Sequence, residues 1–362
     1  MYLFILFFIT FYLYIVDKVN CKNLFSQLIL WIPAFLVFFV PMALQNGVGT
    51  DYETYKSYFY LPASQLELYE GKGEFIFLKI IEISKFLGDP QYIFVIFSFL
   101  ISVIFFITIG VYKRENYKPW LFFLIYFIVT GVYHTSMNTL RQSLVSGFFP
   151  ILIYFIYYNK NLLFFFATFF LSYLHKTSLL YFLVFVLKKI KLSKKIIFII
   201  FLISPIFYYI DQKKIIDLIF NIGFLGGWLS FYRDYIYSDF FDPGTFGMVV
   251  AKLYYVPYFI IFWFLYFKNE ESNNLFFDFL IKNWVFTCFM IVQVLHISIY
   301  YRLWNMFSFL YVFPIYYVLS YYLKRNVFVF GFLLIFLMLP YLLKVTIFSS
   351  SEYEYFFYNF IF

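Results

Sequence analysis

Residues 92–112 read YIFVIFSFLISVIFFITIGVY, a run of 21 residues without a charge, closed by Lys113-Arg114-Glu115-Asn116-Tyr117-Lys118. A helix of that length crosses the hydrocarbon core of a bilayer, whereas a soluble helix would have to hide every face of it. The run is one of many. Of 362 residues, 64% are hydrophobic and 13% charged, so the chain reads as an all-α, polytopic integral membrane helical bundle. The 60 Phe and 38 Tyr, with Ile, Lys and Asn also frequent, read as a compositional bias filling lipid-facing positions. Cys21 and Cys288 are too few and too far apart for a disulfide framework or a metal site.

On the N-terminal side lie two further apolar segments. Met1 to Val16 lacks a basic leader and a small-residue cleavage site, and is followed by Asp17, Lys18 and Lys22, so it is expected to remain as a first span. Leu24 to Leu44 is the second, and it leads into a polar interval, 45–90. Within that interval Glu74 to Leu87 is amphipathic, with Lys79, Glu82 and Lys85 on one side and Phe75, Leu78, Ile81 and Phe86 on the other. Such a segment is predicted to lie on the membrane surface.

On the C-terminal side a fourth span, Pro119 to Tyr133, meets the polar interruption His134 to Gln142, and a fifth reaches Tyr158. Two short apolar stretches, Leu162 to Leu174 and Leu179 to Leu187, flank His175-Lys176-Thr177-Ser178 and read as a hairpin or as broken helices lining a cavity. Lys188, Lys189, Lys191, Lys194 and Lys195 precede the apolar Ile196 to Ile210, and a second long polar interval, 211–247, carries Trp228, Arg233, Asp234, Asp239 and Asp242. Met248 to Phe267, Leu275 to Leu295, a turn at His296 to Arg302, a span ending at Lys324-Arg325, and Val327 to Leu343 complete about 12 spans in a single domain, 1–362.

Charge predicts the orientation. The turns after alternate spans, beginning with the first, hold 14 Lys and Arg; the other face holds 12, with 14 of the 19 acids. By the excess of cations on cytoplasmic turns, both long loops then lie outside, and Asp51, Arg141, His175, Arg233 and Arg302 share one face. No repeat of 20 to 50 residues is visible.

Few residues can carry chemistry. Arg141 stands at the rim of two apolar spans, where a guanidinium is costly unless it meets water, a partner or an anionic ligand. Arg302 stands similarly, and two such forks suit phosphate oxygens. His175 beside Lys176 joins a group that moves protons near neutral pH to a fixed cation, or else caps a helix end. Asp51 and Glu53 place carboxylates in the first outer loop, able to deprotonate a sugar hydroxyl or to bind a divalent cation. Asp278 and Lys282, one helical turn apart inside an apolar run, are expected to neutralise one another. Phosphate-cradling glycine loops, the HExxH zinc pattern and a nucleic-acid-binding surface are all missing from the sequence.

At these residues the chain resembles a known family. Gly49-Thr50-Asp51-Tyr52 with Tyr55, Gly73-Glu74-Phe75, Asn138-x-x-Arg141-Gln142, His175-Lys176-Thr177-Ser178 and Arg302, in that order over residues 45 to 325, resemble the EpsG family. That family includes exopolysaccharide proteins and O-antigen polymerases of the Wzy type. The resemblance implies an enzyme at the periplasmic face of a bacterial inner membrane. It would join undecaprenyl-diphosphate-linked oligosaccharide repeat units, release undecaprenyl diphosphate, and need no nucleotide or other cofactor. Arg141, Lys176 and Arg302 would hold the diphosphate, His175 would assist proton transfer, Asp51 would orient or activate the acceptor, and Tyr52 and Arg233 would contact sugar. A flippase and a chain-length regulator are the implied partners, beside the bilayer; a GT-C-like architecture is an analogy from function. Two other readings use the same residues. A transporter or flippase would line a path with the cations, although no matching halves are visible, and a membrane acyltransferase would use His175 as base.

Overall fold

The computed structural model describes residues 1–19, 24–49, 51–210, 253–268, 274–297 and 299–347, with residues 214, 217, 218 and 221. Every regular element among them is a helix, and the chain divides into two units, Met1–Leu183 with Arg325–Phe362, and Val184–Lys324. Among the described residues, five helices are long and apolar enough to cross a membrane: Gln91–Arg114, Leu140–Tyr157, Leu275–Gln293, Tyr300–Arg325 and Val327–Thr346. A sixth counts if the bent pair Pro119–Thr130 and Val132–Asn138 is one span. In a bilayer such segments are helical because every backbone polar group must find its partner within the segment.

In the first unit α1 (Tyr2–Lys18) packs on α2 (Leu24–Ala43). After α3 (Tyr52–Tyr60) and α4 (Glu67–Gly71) comes α5 (Phe75–Leu87), and α6 (Gln91–Arg114) is the axis of the unit, touching α2, α5, α7 (Pro119–Thr130) and α9 (Leu140–Tyr157). Stacked rings hold these helices together: Phe38 on Phe105 at 4.6 Å, Phe105 on Tyr126 at 4.8 Å, and Tyr112 on Phe122 at 5.0 Å between centroids. The aromatic residues read as lipid-facing filler therefore also build the core.

Between α7 and α8 (Val132–Asn138) the axis bends by 51°. Gly131 takes the left-handed conformation (φ +60°), and Thr130 Oγ1 accepts from Val132 N–H at 3.1 Å while donating to the Tyr126 carbonyl at 2.6 Å. A second break at Thr139 starts α9. The polar interruption of the sequence is thus two corners around one short helix, and it carries Asn138 and Arg141 to the end of the unit where α6 begins.

With 24 residues α6 is roughly 36 Å long, so its two ends lie on opposite faces of the unit. At its C-terminal end Lys113 pairs with Asp17 at 3.9 Å, and Glu115 accepts from the Tyr158 hydroxyl at 2.6 Å. The basic turns after α1, α6 and α9 therefore gather at one end, as the charge pattern predicts. Helix α5 has one buried face and exposes Lys79 and Glu82, with Ile81 buried as expected, but the rest of its apolar face differs from the expected one. Phe77, Ile80, Ile81 and Ser84 are buried, while Phe75 is exposed and Phe86 is 89% exposed. This unit also holds 3-10 turns at Ala63–Leu66 and Lys176–Tyr181, α10 (Asn161–Ser172), and α17 (Val327–Thr346), capped by Asn326 Oδ1.

The second unit takes most of α11 (Phe182–Lys189), with α12 (Lys194–Ile203), α13 (Val256–Lys268), α14 (Leu275–Gln293), α15 (Ile299–Phe307) and α16 (Val312–Arg325) to Lys324. Its core is aromatic around Trp284, which meets Phe259 at 4.9 Å and Phe201 at 5.3 Å. Arg302, expected in a turn, lies within α15.

Asp278 and Lys282 are not an ion pair. Asp278 accepts from the Tyr266 hydroxyl, and Lys282 Nζ donates to the carbonyls of Leu187 at 2.7 Å and Ile190 at 2.9 Å, closing the C-terminus of α11. Lys282 is only 8% exposed, so Lys282→Met would strand two carbonyls. The expected cost is about 1–3 kcal/mol, read as a lower unfolding temperature of the purified protein in detergent.

Candidate functional site

Four short segments of the first unit converge where α2 stops and α6 begins. Gln91, the first residue of α6, donates through Nε2 to the carbonyls of Ala43 at 2.7 Å and Gln45 at 3.0 Å, holding the two helix ends together. The chain then turns through Gly49 at φ +90° and rests on the corner between α8 and α9. A Cβ at Gly49 would stand 3.0 Å from the Met137 carbonyl oxygen, and the Asp51 N–H donates to Asn138 Oδ1 at 2.9 Å. The opening acidic motif and the Asn138-x-x-Arg141 motif, far apart in the chain, are one piece of structure.

Asp51 precedes α3. Tyr52 is buried, its ring stacked on Phe94 at 4.6 Å and its hydroxyl donating to Asn46 Oδ1 at 3.2 Å. Burial first, with Glu53 and Asp89 nearby, pushes its phenol up to about 12, so it stays neutral. Glu53, on the other side of the helix, is exposed.

Arg141 sits in the first turn of α9 and forms an ion pair through Nη1 with Glu74 Oε2, on the residue before α5. The side chains are 17% and 3% exposed. The guanidinium carbon lies 4.9 Å from the Tyr69 ring centre and 4.4 Å from that of Phe77, with Tyr69 held by the Tyr58 hydroxyl at 2.6 Å and Tyr55 buried alongside. This is how an arginine at the edge of an apolar span is made tolerable: a carboxylate takes one edge, and aromatic faces take its plane. Arg141 Nε is buried and has no hydrogen-bond partner.

A third cation completes the cluster. Gly73 is left-handed (φ +68°), and a Cβ there would lie 3.0 Å from Lys176 Nζ, so the ammonium rests against the residue next to Glu74. The Ile76 N–H donates to the Tyr173 carbonyl at 3.0 Å, tying the start of α5 to the turn that carries Lys176. Burial pushes the Glu74 carboxyl above the ordinary carboxylate range, against the pull of Arg141, Lys72 and Lys176. His175 caps the 3-10 turn: its Nδ1 meets Thr177 Oγ1 at 2.8 Å and accepts from Thr177 N–H at 3.4 Å. Of the two readings given to this histidine, the structure shows the cap, which engages Nδ1.

Asp51, Tyr52, Arg141, His175 and Lys176 are all carried by the first unit, and Arg302 is exposed on α15 of the second. Arg233 lies outside the described residues, as do Trp228 and the acids of the 211–247 loop that follow it. No group of three or more His, Cys, Asp or Glu among the described residues is placed to hold a metal ion. Glu74 is the residue that sequence reasoning missed as a site member. Its signal is the glycine before it, which must be left-handed to turn the carboxylate inward.

The sequence model of the EpsG family matches residues 28–360, most of the chain. No curated protein and no solved structure matches.

Proposed function

The chain belongs to the EpsG family, a Wzy-type polymerase-like family of membrane proteins, and from that premise we propose that it polymerises surface polysaccharide from undecaprenyl-diphosphate-linked repeat units. The single observation that supports this most is the convergence of Arg141, Lys176 and the Asp51–Asn138 corner at one end of the first unit, opposite its basic turns.

In this reading the site faces the periplasm from the inner membrane, and the full chain forms about 12 spans in a GT-C-like arrangement. An acceptor sugar hydroxyl attacks the anomeric carbon of the growing glycan. The new C–O bond forms as the bond to the diphosphate breaks, the electron pair leaves with undecaprenyl diphosphate, and the hydroxyl proton passes to a protein base. Preorganised cations stabilise the charge that develops on the leaving group. Lys176 and Arg141 are assigned to that diphosphate, and Asp51, fixed through its backbone by Asn138, to the acceptor. With Nδ1 engaged by Thr177, proton transfer by His175 would run through Nε2. The diphosphate role of Arg302 and the sugar contacts of Tyr52 and Arg233 rest on the sequence alone.

The test is the banding pattern of surface polysaccharide from a deletion strain complemented with wild type, Lys176→Ala, His175→Ala or Arg302→Ala, with membrane levels checked. A polymerase gives a full ladder from wild type and a single-repeat product from well-expressed site variants. Loss of even the single-repeat product would point to a flippase, and full ladders from all three variants would remove these residues from the site.

A further inference from the structure

Glu74 is the carboxylate against which Arg141 is paired, with the Lys176 ammonium resting beside Gly73 and Lys72 also acting on it. Arg141 gives Glu74 its Nη1 and also meets the Tyr55 side chain, while its Nε is buried without a partner, an arrangement costly enough to call for an explanation. The guanidinium is also the more accessible member of the pair, at 17% against 3%. Such a fork, held by one internal carboxylate and a phenol with its Nε unsatisfied, and bordered by an ammonium, matches a ligand with more anionic oxygens than Glu74 can offer.

Building on the polymerase reading, we propose that Glu74 is an internal competitor for the diphosphate: Arg141 pairs with Glu74 in the resting protein and turns to the diphosphate when the lipid-linked donor binds, and Glu74 then takes up a proton from solution. The exchange keeps the guanidinium neutralised and oriented while the site is empty. It also avoids a buried, unpaired carboxylate once the ligand has taken the cation. Burial already favours the protonated carboxyl. The other groups facing Glu74 are Lys72 from its own loop, Lys176 from the turn after α10, and, through Arg141, Tyr69 of α4 and Tyr55 of α3. Lys72 and Lys176 hold Glu74 ionised, and leaving of Arg141 together with arrival of an anion at Lys176 removes most of that hold.

Inorganic pyrophosphate is the probe, titrated calorimetrically into full-length protein in detergent. Glu74→Gln, which removes the competitor and keeps the shape, should bind it about tenfold more tightly than wild type, because the competent state of Arg141 is no longer rationed. In an Arg141→Met background the same Glu74→Gln change should alter affinity less than about twofold, since the gain operates through the guanidinium. Equal or weaker binding by Glu74→Gln overturns the exchange, and so does an undiminished gain without Arg141, which would mean simple charge removal at a distance. A second readout needs no variant: pyrophosphate added to wild type should produce the infrared carbonyl band of a protonated carboxylic acid, and its absence overturns the proposal. Failure here with intact ladder formation in cells leaves the polymerase standing, whereas a wild type that never makes long chains removes the polymerase reading itself.

Discussion

Arg141→Met is expected to destabilise the protein by about 3–5 kcal/mol near neutral pH, the cost of leaving a buried carboxylate without its partner. The double variant Arg141→Met/Glu74→Met should recover most of that loss, because apolar side chains of similar volume replace both charges between Tyr69 and Phe77. Neither variant should make long chains if the guanidinium serves the diphosphate, so stability and activity separate. Thermal unfolding in detergent reads the first and polysaccharide banding the second. The pH dependence has a definite sign. Glu74's folded-state carboxyl titrates above its unfolded value, so its contribution to stability is complete below the ordinary carboxylate range and is lost as pH rises through the raised value. The penalty of Arg141→Met should therefore shrink as pH falls into that window, where Glu74 is protonated and needs no cation. An equal penalty at all pH values would mean that the ion pair does not carry it.

Much of the fold was legible because its signals are local. The charge-free run that becomes α6, the lysines at helix ends and the interruption at 134–142 each depend on neighbours in sequence, and alternation of basic turns correctly grouped the ends of α1, α6 and α9. What escaped was relational. Apolar residues occupy nine of the thirteen positions of α5, so its spacing fits more than one buried face; packing of Phe77 against Tyr58 and Phe97 selected the one observed. Asp278 and Lys282 have helical spacing for a pair, yet Tyr266 and the open end of α11 offered better partners. Acids are common in the outer loop, and nothing local distinguishes Glu74 from Glu70 except the glycine that turns it inward. Arg141 could be recognised as anomalous from its position alone, but its partner lies 67 residues away, so only the fold could name it.

Gly49→Val carries the second large effect, and it acts without touching a charged group. At φ +90° a β-branched residue pays about 1–2 kcal/mol for the left-handed backbone. Its Cβ would also lie 3.0 Å from the Met137 carbonyl, which is fixed in the backbone of α8 and cannot swing aside as a side chain could. Forced separation adds about 1–3 kcal/mol in comparable overpacked sites. The contact that gives way is the Asp51 N–H to Asn138 Oδ1 bond, so Asp51 loses its fixed relation to Arg141, three residues beyond Asn138. Gly47 supplies the control within the same loop: it too is left-handed, at φ +68°, but a Cβ there meets nothing within 4 Å. Gly47→Ala should therefore pay the backbone cost alone and keep long-chain synthesis. Gly49→Val, at matched membrane levels, should fall to single-repeat product, and Asn138→Ala, which removes the acceptor without crowding the turn, should lie between them. If Gly49→Val makes ladders as long as those of Gly47→Ala, close seating of the acidic loop on the α8–α9 corner is not required for activity, and Asp51 would have to be withdrawn from the site.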